Sequence, residues 1–363
     1  MTMKRHRVRE YDSGDQAALA RLFDRADRHD GVARALSPTA KKDVPIYAFA
    51  PRYPLGLERG ITTVELRSRL GRHFSQFGRH LLVVAGADHA KACLSLYPVR
   101  SADQWMLDWV VEPDRREEVA PAEILEAGLA QIRKLVADLL RSNWEGDFAS
   151  GQQQRVSCGV EARGLREDAA TRDALNRAGF AGVRSFGIFA RDLGDSPSAG
   201  EKTPREPDGI ALRAYREGDA PQWIKAFNGS FSDHWGGFYY TEESWGRHTA
   251  SPRFRNEISV VAEADGTLAG VCHCAPSHNP KERGLAHLHI LGVQPQFRRR
   301  GLGYRLMVEA LRRLRQNGFS RVELDMDTLN AKALPLYEML GFRQQEVITL
   351  YHRQLSVDIG PPA

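Results

Sequence analysis

Cysteine is scarce in this chain: four residues, Cys93, Cys158, Cys272 and Cys274, in a total of 363. Four cysteines cannot staple a chain of this length, which excludes a disulfide framework and makes a reducing compartment, the cytoplasm, the expected location. No run of 18 apolar residues occurs, so no membrane-spanning helix is expected. Met1 to Gln16 carries basic residues but no apolar core, so no secretory signal is expected either. Lysine is scarce as well, at nine of the 51 basic residues. Arginine excess of that kind follows from a GC-rich coding sequence and does not by itself point to nucleic acid. The net charge of +5 is mild. It suits an anionic cofactor as well as a nucleic acid and selects neither.

What is present is the composition of a globular protein, 42% hydrophobic and 27% charged, with room for two domains. The most informative stretch is Val293-Gln-Pro-Gln-Phe-Arg298-Arg299-Arg300-Gly301-Leu302-Gly303. An apolar strand-like run, Leu288 to Val293, precedes it. A helical period at Leu306, Met307, Ala310, Leu311 and Leu314 follows. Glycines at a strand–loop–helix junction let backbone approach a ligand, and the N–H groups of the first helical turn form an anion site. Three arginines add donors suited to phosphate. A P-loop would need Lys-Ser/Thr after the last glycine, where Tyr304-Arg305 stand. A Rossmann fingerprint would need glycine at Leu306.

The spacing instead resembles the Gln/Arg-x-x-Gly-x-Gly/Ala pyrophosphate loop of GCN5-related N-acetyltransferases (GNATs). Asn330-Ala-Lys-Ala-Leu-Pro-Leu-Tyr337-Glu-Met-Leu-Gly341-Phe342 is similar to a second segment of that family, and the resemblance covers about residues 210–355. It implies an α/β (α+β) fold, a mixed and mostly antiparallel twisted sheet flanked by helices. In that fold a splayed central strand pair forms the acyl-CoA cleft. It further implies acetyl-CoA, or another acyl-CoA, as co-substrate, held by Leu291, Gly292, Val293, Arg298, Arg299, Arg300, Gly301, Leu302, Gly303, Tyr304 and Asn330.

The unit occurs twice. Arg9-Glu-Tyr11-x-x-Gly14-Asp15 returns as Arg213-Ala-Tyr215-x-x-Gly218-Asp219, and Phe23 as Phe227. Val83-Val-Ala85 returns as Val260-Val-Ala262, Val111-Glu-Pro113 as Val293-Gln-Pro295, and Gly179-Phe180 as Gly341-Phe342. A Pro-, Ser- and Gly-rich linker separates the copies. The expected organisation is a degenerate domain over 1–193, a linker over 194–208 and a catalytic domain over 209–357. The first copy is expected to be non-catalytic, because Val119, Pro121 and Leu175 stand opposite Gly301, Gly303 and Tyr337. Valine blocks close approach and proline removes a donor. The tandem arrangement resembles mycothiol synthases in architecture.

Amine acetylation needs a base for the ammonium and benefits from a proton for the departing thiolate. His287 and His289 are the base candidates. Two apart on one strand, they face the same way, and Ala286-His-Leu-His289 resembles the paired-histidine strand of arylalkylamine N-acetyltransferases. Tyr337, with an ordinary pKa of about 10, is the acid candidate. His234 and Trp235 are candidates for the acceptor pocket, and Asp325 and Asp327 for attracting a cationic amine. Cys272-His273-Cys274 with His278 hints at metal, but no second ligand pair follows, so no metal is expected. Expected partners are a small-molecule amine, with no membrane and no nucleic acid, in a monomer or homodimer. Two alternatives stand: an aminoacyl-tRNA-dependent transferase on the same fold, and a non-catalytic acyl-CoA-binding module. The intact pyrophosphate loop argues against the first, and retained acid and base candidates against the second.

Overall fold

One pattern of strand pairing occurs twice along the chain. The computed structural model describes residues 7–10, 15, 18–19, 21–22, 81–85, 90–98, 104–111, 121–142, 154–165, 169–194, 209–232, 239–251, 253–277 and 283–359. These divide into two compact units. One extends to Phe186 and resumes at Glu346, and the other spans Gly187–Gln345.

The first unit contains β1 (Arg7–Glu10), β2 (Leu81–Ala85), β3 (Ala90–Pro98), β4 (Gln104–Val111), α1 (Pro121–Ser142), β5 (Gln154–Leu165) and α2 (Ala169–Arg177). It also takes the first half of β6 (Ala181–Asp192). The second unit takes the rest of β6, then β7 (Ile210–Ala214), α3 (Ala220–Ser230), α4 (Glu242–Thr249), β8 (Val260–Ala264), β9 (Thr267–Pro276) and β10 (Leu285–Val293). It continues with α5 (Leu302–Gln316), β11 (Arg321–Asp327) and α6 (Leu334–Met339). The last strand, β12 (Arg343–Ile359), returns from Glu346 onward to the first unit. Sheet order is β1-β2-β3-β4-β5-β12-β6 in the first unit and β6-β11-β10-β9-β8-β7 in the second. In each, three antiparallel pairings are followed by one parallel pairing, β4 with β5 and β10 with β11.

Local chemistry accounts for most boundaries. The β8–β9 turn places Asp265 and Gly266 at φ 48° and 72°, the left-handed pair of a two-residue hairpin. On α5 the apolar period packs as expected: Leu306, Met307, Ala310, Leu311 and Leu314 are all buried against β8–β10. Each of the leucine and methionine side chains contributes roughly 1.5–3 kcal/mol. The helix closes at Gly318, φ 80°, where the Phe319 N–H bonds the Leu314 carbonyl at 3.1 Å.

Periodicity and turn residues predict a helix over Ala331–Leu340, a last strand over Val347–Leu355, an N-cap at Asp219 and one buried face on the strand Arg321–Asp327, and the structure corrects all four. The helix expected over Ala331–Leu340 is only Leu334–Met339, because Pro335 offers no N–H and is tolerated only in a first turn. The last strand, expected over Val347–Leu355, extends over Arg343–Ile359, since twelve of its residues find partners on β5. Asp219 occupies the N-cap position of α3 but makes no cap bond. Its carboxylate is held by Arg213, at 2.7 and 2.8 Å. The polar face of β11 is covered, not solvated: Glu323 and Asp327 are as buried as Val322 and Met326.

The duplication is visible in matching interactions. Arg9 forks onto Asp15 at 2.6 and 2.5 Å and also bonds the Glu10 carbonyl. Arg213 forks onto Asp219 and bonds the Ala214 carbonyl. One match shifts by a residue: Arg9 pairs with Val83, and Arg213 with Val261. The repeated valine in each segment permits either alignment, and the ladder decides between them.

Candidate active site

Two features of β10 build a cleft. It pairs with β11 only at Leu285, Ala286 and His287, and beyond His287 the two strands part. This is the splayed pair that an acyl-CoA cleft requires. Its ladder with β9 slips between Leu288 and Ile290, leaving His289 as the extra residue of a β-bulge, a device that re-aims side chains. Ala286, Leu288, Leu291 and Val293 pack toward α5, whereas Ile290 packs toward α3 and α4. His287 and His289 lie on the Ile290 face, with ring centroids 6.0 Å apart.

At the end of β10 the chain enters the loop. Arg299 and Gly301 adopt φ 62° and 70°, the second of which favours glycine. A Cβ on Gly301 would meet nothing within 4 Å, and one on Gly303 would make only ordinary contacts with Leu336 and Val293. The protein's own packing does not demand glycine at 303. The N–H groups of Leu302, Gly303 and Tyr304 precede the first intrahelical bond, Arg305 N–H to the Gly301 carbonyl, and the N-cap residue, Gly301, brings no capping side chain. That end of α5 carries positive potential.

The arginines divide their roles. Arg298 braces the loop, donating to the Val293 carbonyl at 3.1 Å and the Ser230 carbonyl at 2.9 Å. Arg299 and Arg300 are exposed, with Arg300 over the Phe297 ring. Gly292 serves packing: a Cβ there would sit 2.9 Å from Ser230 at the end of α3. Leu302 is core, Leu291, Val293 and Tyr304 pack against that core, and Asn330 sits in the turn before α6. These residues fit an acyl-CoA. The N–H groups at the start of α5 and two exposed guanidinium groups suit its phosphates, and the edge of β10 beyond its ladder with β11 suits amides of a pantetheine arm.

Tyr337 lies on the α5 face of β10, edge-on to Phe342 at 5.9 Å. Burial, then the charges of Cys272 and Asp325, push its phenol well above the usual value. It therefore holds its proton at neutral pH. The tyrosine and the histidine pair stand on opposite faces of β10, joined only where β10 and β11 part. Asp325 is half-buried on β11. Asp327 is buried and accepts from the Leu329 N–H at 2.9 Å, which makes it a turn residue. Cys272 and Cys274 face α5, whereas His273 faces α4, so the trio does not converge on one point. His234, Trp235 and His278 lie outside the described residues, as does Val119.

Residues 220–342 match the Acetyltransferase (GNAT) family. A mycothiol acetyltransferase of Clavibacter michiganensis subsp. michiganensis is 30% identical over 280 residues, 76% of this chain and 81% of that protein. The chain belongs to the GNAT acetyltransferase family. A mycothiol acetyltransferase of Thermobispora bispora is 33% identical over 154 residues, and there the match spans about half of the relative's length, 52%. A tandem GNAT protein from the clavulanic acid biosynthesis pathway superposes with TM-score 0.62 at 15% identity, covering 99% of this chain and 100% of that one. This chain shares that tandem GNAT fold.

The sequence weighs His273 of this GNAT chain only as a metal ligand and gives no sign of its link to His248. His273, fully buried, bonds Ser259 Oγ through Nδ1 at 2.8 Å and His248 Nε2 through Nε2 at 3.1 Å. Its ring lies 5.8 Å from that of His289. Burial, with the charges of His248 and Arg253, holds its pKa well below the usual histidine value. The only sequence signal for His273 was a histidine at an inward strand position. Partners 14 and 25 residues away are invisible to a local pattern.

Proposed function

We propose that this chain transfers an acetyl group from acetyl-CoA to the primary amine of a small molecule by direct attack. The observation that carries the reading is the parting of β10 from β11 beside the glycine-led N-terminus of α5, with imidazoles on one face and a protonated phenol on the other. Acetyl-CoA supplies the activated acyl group. The N–H groups of Leu302, Gly303 and Tyr304, with Arg299 and Arg300, bind its phosphates. His287 or His289 takes a proton from the ammonium, because only the free amine is a nucleophile. Tyr337 O–H gives a proton to the departing thiolate. Asp325, on the strand that faces the histidines across the parting, favours a cationic acceptor. His234 and Trp235 belong to the segment between α3 and α4 and are candidates for the acceptor pocket. In this reading 209–357 is the catalytic domain and 1–193 a non-catalytic copy.

The test is release of free thiol from acetyl-CoA across a panel of amines, headed by the acceptor that mycothiol acetyltransferases use. Turnover that is amine-dependent and insensitive to RNase is expected. Acetyl-CoA binding without turnover on any amine would leave a binding module. RNase-sensitive turnover would favour an aminoacyl-tRNA donor.

A further inference from the structure

We infer that His289, rather than His287, is the base, and that His273 is the residue that positions it. This rests on the acetyltransferase reading and deepens it. Two observations single out His289. It is the bulged residue of β10, re-aimed out of the regular ladder at the point where β10 leaves β11, and it is only half-buried, hence open to a substrate. His287 sits one step inside the ladder, 7% exposed, paired in register with Glu323. Glu323 is itself buried and tied to Arg321 at 3.0 Å.

The positioning role rests on the array behind His289. Four imidazoles, His287, His289, His273 and His248, follow one another with centroid spacings of 6.0, 5.8 and 5.0 Å. Both nitrogens of His273 are engaged, one by Ser259 and one by His248. The Ser259 hydroxyl also reaches the Arg255 carbonyl at 3.1 Å. Phe254 stacks on the His273 ring at 4.8 Å, so the ring plane is fixed. His273 therefore offers no nitrogen toward His289 and cannot relay its proton. It presents a ring face instead, inclined 27° to the His289 ring.

Protonating His273 is opposed by burial and by nearby positive charge, so that face stays neutral while His289 is charged. A neutral aromatic face within about 6 Å stabilises a cation. His289 lies 6.0 Å from His287 on β10 and 5.8 Å from His273 on β9, ring to ring; next to His273 are His248 on α4 and Arg253, held by the Pro276 carbonyl at 2.7 Å, and next to His287 is Glu323 on β11, with Asp325 two residues further along that strand. Two imidazolium ions 6.0 Å apart repel each other, so a proton on one ring opposes a second on the other.

The protons balance. The ammonium loses its first proton to a ring nitrogen of His289, and that N–H electron pair remains on the amine. The pair attacks the thioester carbon, the C–S bond breaks, and Tyr337 protonates the thiolate. The second amine proton replaces the one Tyr337 gave, and His289 returns its own to solvent.

The test is histidine-labelled NMR of the full chain without substrate, assigned through single His→Gln variants, together with pH–rate profiles. We expect His289→Gln to lower kcat/KM by about 10²–10⁴-fold and abolish the acid limb, whereas His287→Gln keeps the limb. His273→Leu should move the His289 titration and the acid limb to lower pH, because the cation loses its aromatic neighbour. His273→Phe keeps the ring face and should hold both close to wild type, with kcat lowered less than tenfold. KM for acetyl-CoA should change less than about threefold throughout. An acid limb lost in His287→Gln and retained in His289→Gln overturns the base assignment. A His289 titration identical in wild type and His273→Leu overturns the positioning role. NMR needs no turnover, so a chain that acetylated nothing would defeat the acetyltransferase reading yet still decide what His273 does to His289.

Discussion

Tyr337 is the residue whose surroundings most constrain its chemistry. Its carbonyl accepts from the Phe342 N–H at 2.9 Å, closing a helix end at Gly341, φ 81°. In the first unit the Leu175 carbonyl accepts from the Phe180 N–H at 3.0 Å, and Gly179 has φ 76°. The two positions are structurally equivalent, and only one carries a hydroxyl. Tyr337→Phe preserves the ring packing, so the unfolding midpoint should stay near wild type and acetyl-CoA affinity within a few-fold. Turnover should fall by about 10²-fold, the lower end of general acid–base effects. A small loss would demote the hydroxyl to positioning. Full turnover with lost cofactor affinity would remove it from proton transfer altogether. The tyrosine was legible because its neighbours in sequence form the helix that presents it. His273 was not, since its meaning comes from Ser259, His248 and His289 on three other segments.

At the scale of elements, the junctions that lead into helices carry the sharpest consequences. Arg213 joins the end of β7 to the start of α3 through Asp219, and β7 to β8 through Glu263 at 2.7 Å. Burial alone would raise the Asp219 pKa, but bonds from Arg213 and the Arg216 N–H, with the Arg213 charge, outweigh it and lower the value. A depressed carboxylate stabilises the fold above the ordinary carboxylate pKa of about 4, and that stabilisation disappears as pH falls through the lower folded value. Asp219→Asn should therefore cost about 1–3 kcal/mol at neutral pH, with the gap to wild type closing in acid. Urea melts at pH 7 and pH 3 check both parts, and a gap independent of pH would assign the cost to packing. At the other junction, Gly301→Glu places a carboxylate on the N-terminus of α5 in a left-handed conformation that disfavours side chains by about 1–2 kcal/mol. The helix should survive, since an anion suits its N-terminus, while acetyl-CoA binding should be lost through repulsion of its phosphates. Element types were legible from period and turn residues, as at Asp265-Gly266 and along α5. The bulge at His289 and the covered face of β11 were not, because both depend on which strand and helix lie alongside.

Over the whole molecule, the two units share a pairing scheme but differ at the positions proposed to bind and react. In the first unit, β3 pairs with β4 continuously from Ala92↔Val111 to Pro98↔Trp105, without the bulge of β10. Leu175 replaces the tyrosine, and α1 begins with Pro121 at the position of Gly303. One acetyl-CoA per chain is therefore expected by calorimetry; two equal sites would refute a degenerate first copy. Dividing the chain at the linker should not release two stable halves. A 1–193 fragment lacks Glu346–Ile359, whose strand pairs with β5 over twelve residues, from Ile348↔Leu165 to Ile359↔Gln154. That pairing also brings Tyr351, Leu355 and Val357 into the core built on α1. Without it β5 presents an open edge, the template on which chains aggregate. A 209–357 fragment lacks Gly187–Asp192, the half of β6 that flanks β11, and with it the buried Phe189. Each fragment should be insoluble or molten alone, seen as lost near-ultraviolet dichroism and dye binding. Mixing the two under refolding conditions should restore a cooperative melt, because each then recovers the strand it lacks. Independent, cooperative melting of both fragments would show that β6 and β12 contribute little to the units in which they lie.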